Sequence, residues 1–204
     1  MKLSFIAGST AALLALVIQS AESNANPSQL QDVKVGTYKA DPAHTQIVFS
    51  LSHLGFTEYT GIFSGASGTL RLDPKTLDTS KLDISIPVES ITTTSSKLTE
   101  ELKGEKWFNS AKFPSATFVS TNISHADNGS FNVTGNLTLH GVTKPVVLAV
   151  HFINAGPSPI TKAYTVGFEA SATIKRGDFG ISMYLPVLGD DVKLSIAGAF
   201  ETQG

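Results

Sequence analysis

From Tyr38 onward the dominant spacing of hydrophobic residues is two. Ile47, Phe49, Leu51 and His53 fall on one parity, with Val48, Ser50 and Ser52 on the other. Leu82, Ile84, Ile86 and Val88 alternate with Lys81, Asp83, Ser85, Pro87 and Glu89. Phe131, Val133, Gly135, Leu137 and Leu139 alternate with Asn132, Thr134, Asn136, Thr138 and His140. Val146, Leu148, Val150 and Phe152 follow, then Tyr164, Val166, Phe168, Ala170, Ala172 and Ile174, and last Val192, Leu194, Ile196, Gly198 and Phe200. Such alternation predicts antiparallel strands with one buried and one wet face. Turn chemistry separates them at Asp73-Pro74, Asp127-Asn128-Gly129, His140-Gly141, Gly156-Pro157 and Gly189-Asp190. Further strands near 35–38, after Tyr59 and at 117–123 bring the count to about eight. The fold class expected is all-β: an eight-stranded antiparallel up-and-down barrel, which leaves no exposed edge. A β-sandwich is the alternative.

Two stretches depart from this period. At 95–108, Leu98 and Leu102 lie four apart, followed by Trp107 and Phe108, with Glu100, Glu101, Lys103, Glu105 and Lys106 between. This predicts a short helical segment capped by Ser95 or Ser96. Phe113-Pro114 belongs in a connection, because proline donates nothing to a ladder. At the other departure, Lys2 precedes an apolar run over 3–18 and then Gln19, Ser20, Glu22 and Asn24, the layout of a secretory signal peptide. Small residues at Ser23 and Ala25 favour cleavage after Ala25, with Ser23 second. The expected organisation is a signal peptide at 1–25, a polar lead-in at 26–36 and one barrel domain at 37–204, in a periplasmic or secreted protein.

The inward face carries small residues, Gly135, Ala170, Ala172 and Gly198, where a packed core would hold branched ones. An eight-stranded barrel is the size at which side chains either fill the interior or leave room for one ligand. Both fillings are open: a hollow, or Phe49, Phe118, Phe131, Phe168 and Phe200 swinging across it. If hollow, the expected lining is Ile47, Phe49, Leu51, Leu82, Ile84, Ile86, Phe118, Phe131, Val133, Leu137, Val166, Phe168, Ala170 and Ile196.

Composition narrows the chemistry. Only 16% of the 204 residues are charged and the net charge is −2, with two arginines, Arg71 and Arg176. No basic field exists for nucleic acid. Cysteine is absent, which excludes disulfides, thiolate metal sites and a thiol nucleophile. The five histidines form no short zinc pair. Asp178-Phe179-Gly180 copies the kinase magnesium triplet without its glycine-rich loop, strand lysine or catalytic aspartate. No Gly-x-Ser-x-Gly elbow occurs. The residues therefore point away from catalysis, and no metal or resident cofactor is expected. By parity, His53 is the candidate to touch a ligand headgroup, against the alternative of a core histidine satisfied by a neighbour. Arg176 and Asp178 follow the last inward residue of their strand. A loop-fixing ion pair of Arg176 with Asp178 or Asp190 is favoured over a polar gate at a tunnel mouth.

Several stretches, in order, resemble the YceI-like lipid/polyisoprenoid-binding family. They are Asp41-Pro42-Ala43-His44 leading into Ile47-Val48-Phe49, His53-Leu54-Gly55, Gly61-Ile62-Phe63, and Phe113-Pro114-Ser115-Ala116-Thr117-Phe118. Gly135 through Val146, with His140-Gly141-Val142-Thr143-Lys144-Pro145 inside it, is the most specific. Arg176-Gly177-Asp178-Phe179-Gly180 and Val187-Leu188-Gly189-Asp190-Asp191-Val192 complete the series. The chain departs from the family at Thr45-Gln46 and Gly177. The resemblance implies a lipocalin-like barrel that holds a long isoprenoid, isoprenoid quinone or related lipid in a tunnel. The function expected is a secreted lipid carrier or sequestering protein. A stress-related interaction module without ligand is the alternative, and a lipid-directed enzyme a lesser one. A transient membrane contact and a homodimer are left open.

Overall fold

The computed structural model describes residues 29–126 and 130–202. The expected signal peptide and the Asp127-Asn128-Gly129 turn lie outside the described residues. The strands are β1 (Gly36–Ala40), β2 (Gln46–His53), β3 (Thr57–Phe63), β4 (Ser67–Leu72), β5 (Lys81–Pro87), β6 (Thr92–Thr93), β7 (Ser115–His125), β8 (Ser130–Leu139), β9 (Val142–Pro157), β10 (Tyr164–Lys175) and β11 (Asp191–Thr202), with one helix, α1 (Ser96–Lys103).

Eleven strands form one sheet, yet they occupy eight positions around a closed barrel. The reason lies in three broken strands. Along one edge of β11, Ala40 faces Phe200 and Ile47 faces Ile196, so β1 and β2 are two halves of one position. On the next position β4 pairs with β1 and β3 with β2, and on the third β5 pairs with β4 and β6 with β3. The ring continues through β7, β8, β9 and β10 back to β11, every neighbour antiparallel. The expected barrel is therefore present, and the sandwich is not.

The break between β1 and β2 is built by the Asp41-Pro42-Ala43-His44 motif. Proline cannot continue the ladder, and the Asp41 carboxylate accepts from the Ala43 amide at 2.9 Å and meets His44 Nδ1 at 2.5 Å. Burial raises the Asp41 pKa, and these hydrogen bonds outweigh that and hold it below its ordinary value. The β11 groups that the break leaves over are used: Ala199 O accepts from the Asp41 amide at 2.8 Å, and the Ala199 amide donates to Thr45 Oγ1 at 3.2 Å. The motif thus closes the backbone accounting of a bent barrel strand.

At the other end β7 stays on β5 only as far as Pro87 facing Ser115, and β6 pairs with β3 alone. A 3-10 turn at Val88–Ser90, α1 and the following loop fill this split. Ser95 caps α1, its side chain accepting from the Leu98 amide at 3.3 Å. Phe113 and Pro114 lie in the connection before β7, as expected. Two expectations need correction. Gly156-Pro157 is not a turn: β9 runs through it, and proline is tolerated as the last strand residue. The lead-in is not simply polar, because Leu30 packs against the barrel core from a 3-10 helix at Leu30–Asp32.

Two chambers inside the barrel as the candidate functional site

Tyr38, Val33 and Val166 are almost fully buried and close the barrel at the β1 end. Above them the interior holds a cavity of about 170 Å³. A second of about 130 Å³ lies towards α1 and the loop before β11. Ile47, Ile86, Leu137 and Leu194 belong to the walls of both, so the chambers adjoin across this ring of aliphatic side chains.

Most of the expected lining faces these spaces. The first chamber is walled by Ile47 of β2, by Leu82, Ile84 and Ile86 of β5, by Phe118 of β7 and by Phe131, Val133 and Leu137 of β8. Phe168 and Ala170 of β10 and Ile196 of β11 complete that group. Phe49 and Leu51 face the second chamber. Val166 departs from the expectation. Its parity is inward, but it lies below the first chamber in the closed end, fully buried among core residues.

The small inward residues divide. Ala170 and Gly198 both border the first chamber, although a Cβ at Gly198 would stand 3.2 Å from the Phe200 ring. Gly135 does not: a Cβ there would stand 2.4 Å from the Phe118 ring, which lies over the glycine backbone. Gly61 is covered in the same way by Phe49, at 2.3 Å. The interior is thus partly filled by phenylalanines and partly open, with glycines serving close approach.

Neither headgroup candidate at the rim points into a chamber. His53 has the inward parity but is the last residue of β2, beyond the barrel wall, exposed and 6.0 Å from the Tyr59 ring. Asp178 is exposed on the 3-10 helix Arg176–Phe179. Arg176 is 5% exposed and its side chain belongs to the wall of the second chamber. It fixes its loop, as favoured, but not through an ion pair with Asp178 or Asp190. Its Nε donates to Gly189 O at 2.8 Å, its Nη1 to Ile181 O and Met183 O at 2.9 Å each, and its Nη2 to Leu188 O at 3.0 Å. The planar fork is spent on the carbonyls of one loop, and Asp190 instead accepts from the Gly177 amide at 2.8 Å. Burial lowers the Arg176 pKa and the nearby Asp190 charge acts in the opposite sense. The guanidinium also lies 5.9 Å over the Trp107 ring.

The remaining walls are apolar. Thr45 is the one polar side chain bordering the first chamber among the described residues, and its hydroxyl is bonded to β11. Cavities of this size lined by Leu, Ile and Phe stay dry and accept apolar guests, as an engineered one of about 150 Å³ does with benzene. Among the described residues no group of three or more His, Asp and Glu could hold a metal, and no helix is long and apolar enough to cross a membrane. Several wall residues escaped the sequence analysis. Val146, Leu148, Val150 and Leu194 share the parity already recognised and were legible. Leu30 and Ile181 come from segments without strand period, where no signal marked them, while Trp107 and Phe108 were marked with the helical segment but not as wall residues.

The model of the YceI-like domain matches residues 38–200. A UPF0312 protein of Pseudomonas aeruginosa strain LESB58 is 35% identical over 185 residues, covering 91% of this chain and 94% of its own. A UPF0312 protein of Pectobacterium atrosepticum is 38% identical over 162 residues, 78% of this chain and 83% of its own. Among solved structures, the Campylobacter jejuni YCEI protein has a TM-score of 0.66 at 28% identity and covers 75% of this chain and 90% of its own. A polyisoprenoid binding domain of Saccharophagus degradans, implicated in plant cell wall breakdown, has a TM-score of 0.64 at 15% identity, covering 83% of this chain and all of its own. With the barrel, its broken strands and the quoted motifs in place over nearly the whole described chain, this protein belongs to the YceI-like family.

Proposed function

We propose that this protein is exported and holds one long apolar lipid, of the polyisoprenoid or isoprenoid quinone class, for transport, storage or sequestration. The observation that carries this is the pair of adjoining chambers whose walls offer a ligand no free polar group. Thr45 and Arg176, the polar residues at their walls, are bonded to the protein itself. Membership of the family supports the same reading. The Saccharophagus degradans domain, at 15% identity, contributes the fold only.

The mechanism is burial rather than chemistry. Each methylene taken from water stabilises by about 0.8 kcal/mol, so one isoprene unit contributes on the order of 3–4 kcal/mol gross. A neutral headgroup hydrogen bond adds about 1 kcal/mol. Ordering a flexible chain offsets much of the sum. Eight steps along β11, from Val192 to Phe200, span about 26 Å, so a long prenyl chain folds back or protrudes. No catalytic residue is assigned. Organic extraction of the purified protein followed by mass spectrometry should return about one such lipid per chain. Protein that is homogeneously empty when taken from its own host would contradict the proposal, and turnover of the bound lipid would favour an enzyme.

A further inference from the structure

The end of the barrel beyond the second chamber is apolar on both sides. On its inner side the loop between Phe179 and Asp191 places Ile181 in the chamber wall and packs Met183 and Leu188 against the core beneath. On its outer side Tyr184 and Val187 are 53% and 59% exposed. The β2–β3 hairpin tip adds Leu54 and Phe56, the latter 87% exposed. These two segments are one unit. The Gly189 amide donates to Ser52 O at 2.8 Å, His53 and Leu188 form a bridge, and the Arg176 guanidinium ties the loop to the end of β10. Tyr184 in turn lies 6.1 Å from Trp107 in the chamber wall. A loop facing only water would present polar groups outward; four large apolar side chains on one bonded cap mark a contact surface.

The charge around the cap chooses among contacts. Glu58 pairs with Lys193 and Lys175 with Asp191. Arg176 is spent on carbonyls, and Asp178 and Asp190 add negative charge. Neither cap segment, 52–58 nor 181–191, carries a lysine or arginine with which to hold an anionic surface. We infer that this cap docks on the uncharged surface of a lipid bilayer, with Phe56, Leu54, Tyr184 and Val187 entering the interfacial layer, and so joins the second chamber to the source of its ligand. The inference rests on the lipid-carrying function proposed above, and it identifies the mouth. The opposite end offers a control: Ile160, 88% exposed at the β9–β10 turn, stands by Lys162 and away from the second chamber.

The test is flotation of the purified protein with phosphatidylcholine vesicles, alongside Phe56→Ser, a Tyr184→Ser/Val187→Ser pair and Ile160→Ser. Parent protein and Ile160→Ser should float, with little dependence on salt. Phe56→Ser should weaken binding about tenfold through loss of one buried ring, and the pair should do so by a similar factor, with melting temperatures unchanged. Absence of parent binding, equal binding by all variants, or binding only to anionic vesicles at low salt would overturn the inference. So would a cap that instead mediates dimers, seen as sedimentation shifts lost in Phe56→Ser without vesicle binding. Lipid extracted from each variant separates the two claims. Phe56→Ser that keeps its lipid yet fails to float supports docking. A parent that floats but is empty also supports docking, and counts against the carrier.

Discussion

Arg176→Ala should destabilise the protein by roughly 3–5 kcal/mol, because it strands several loop carbonyls that accept from no other donor among the described residues. The four hydrogen bonds run to Ile181, Met183, Leu188 and Gly189, so the loss falls on the whole cap of the second chamber. Arg176→Lys should recover little, since a point-like ammonium cannot replace a planar fork with several fixed donors. Denaturant midpoints measure the first effect. The second readout is ligand charge. Were Arg176 a headgroup gate, alanine would weaken binding of an anionic prenyl lipid and spare a neutral one of equal chain length. Here any loss should be equal for both and should follow the loss of stability. Selective loss of the anionic lipid in a stably folded variant would refute this assignment.

Ala170→Trp should abolish lipid retention while costing the empty protein little. Ala170 faces Val150 and Ile196 across its two neighbouring strands and borders the chamber of about 170 Å³, so an indole there occupies ligand space rather than packed core. Val166→Trp, on the same face of β10, should behave oppositely. Val166 is fully buried outside either chamber, and a larger ring overpacks it at about 1–3 kcal/mol or more. Lipid retained after purification and the denaturation midpoint of delipidated protein are measured for both. Marked destabilisation of the Ala170 variant, or lipid retention equal to the parent, would remove the chamber from the account.

The contrast between these two residues shows how far a sequence of this kind can be read. Alternation gave the strands and which side of each faces inward, because a strand has only two faces and one is buried. It set Phe168, Ala170 and Ile196 on the inward face, and a separate four-residue spacing marked the helix, whose cap was open between Ser95 and Ser96 and falls on Ser95. Depth along the barrel is not encoded in parity. Val166 and His53 both have the right face, and the first lies under the cavity while the second lies past its rim. Nor does residue type say what a polar group is used for. Arg176 reads as an ion pair before a gate, and only the folded loop brings four carbonyls to it. The glycines were ambiguous for a related reason: an absent side chain seats an aromatic ring at Gly135, while at Gly198 it borders the chamber with the Phe200 ring standing a little farther off. The first family motif proved legible as structure, since Asp41 to Thr45 repairs a strand break, and of these residues Thr45 reaches the chamber wall.

If the protein carries a lipid, affinity comes from burying an apolar chain in both chambers, with the headgroup secondary. It is tested most directly by titrating delipidated protein with neutral prenyl lipids of increasing chain length, and with anionic partners of matched length. Kd should fall with each added isoprene unit until both chambers are filled and then level off, with headgroup charge changing it little. A Kd independent of chain length, or one set by the charge of the headgroup, would contradict it.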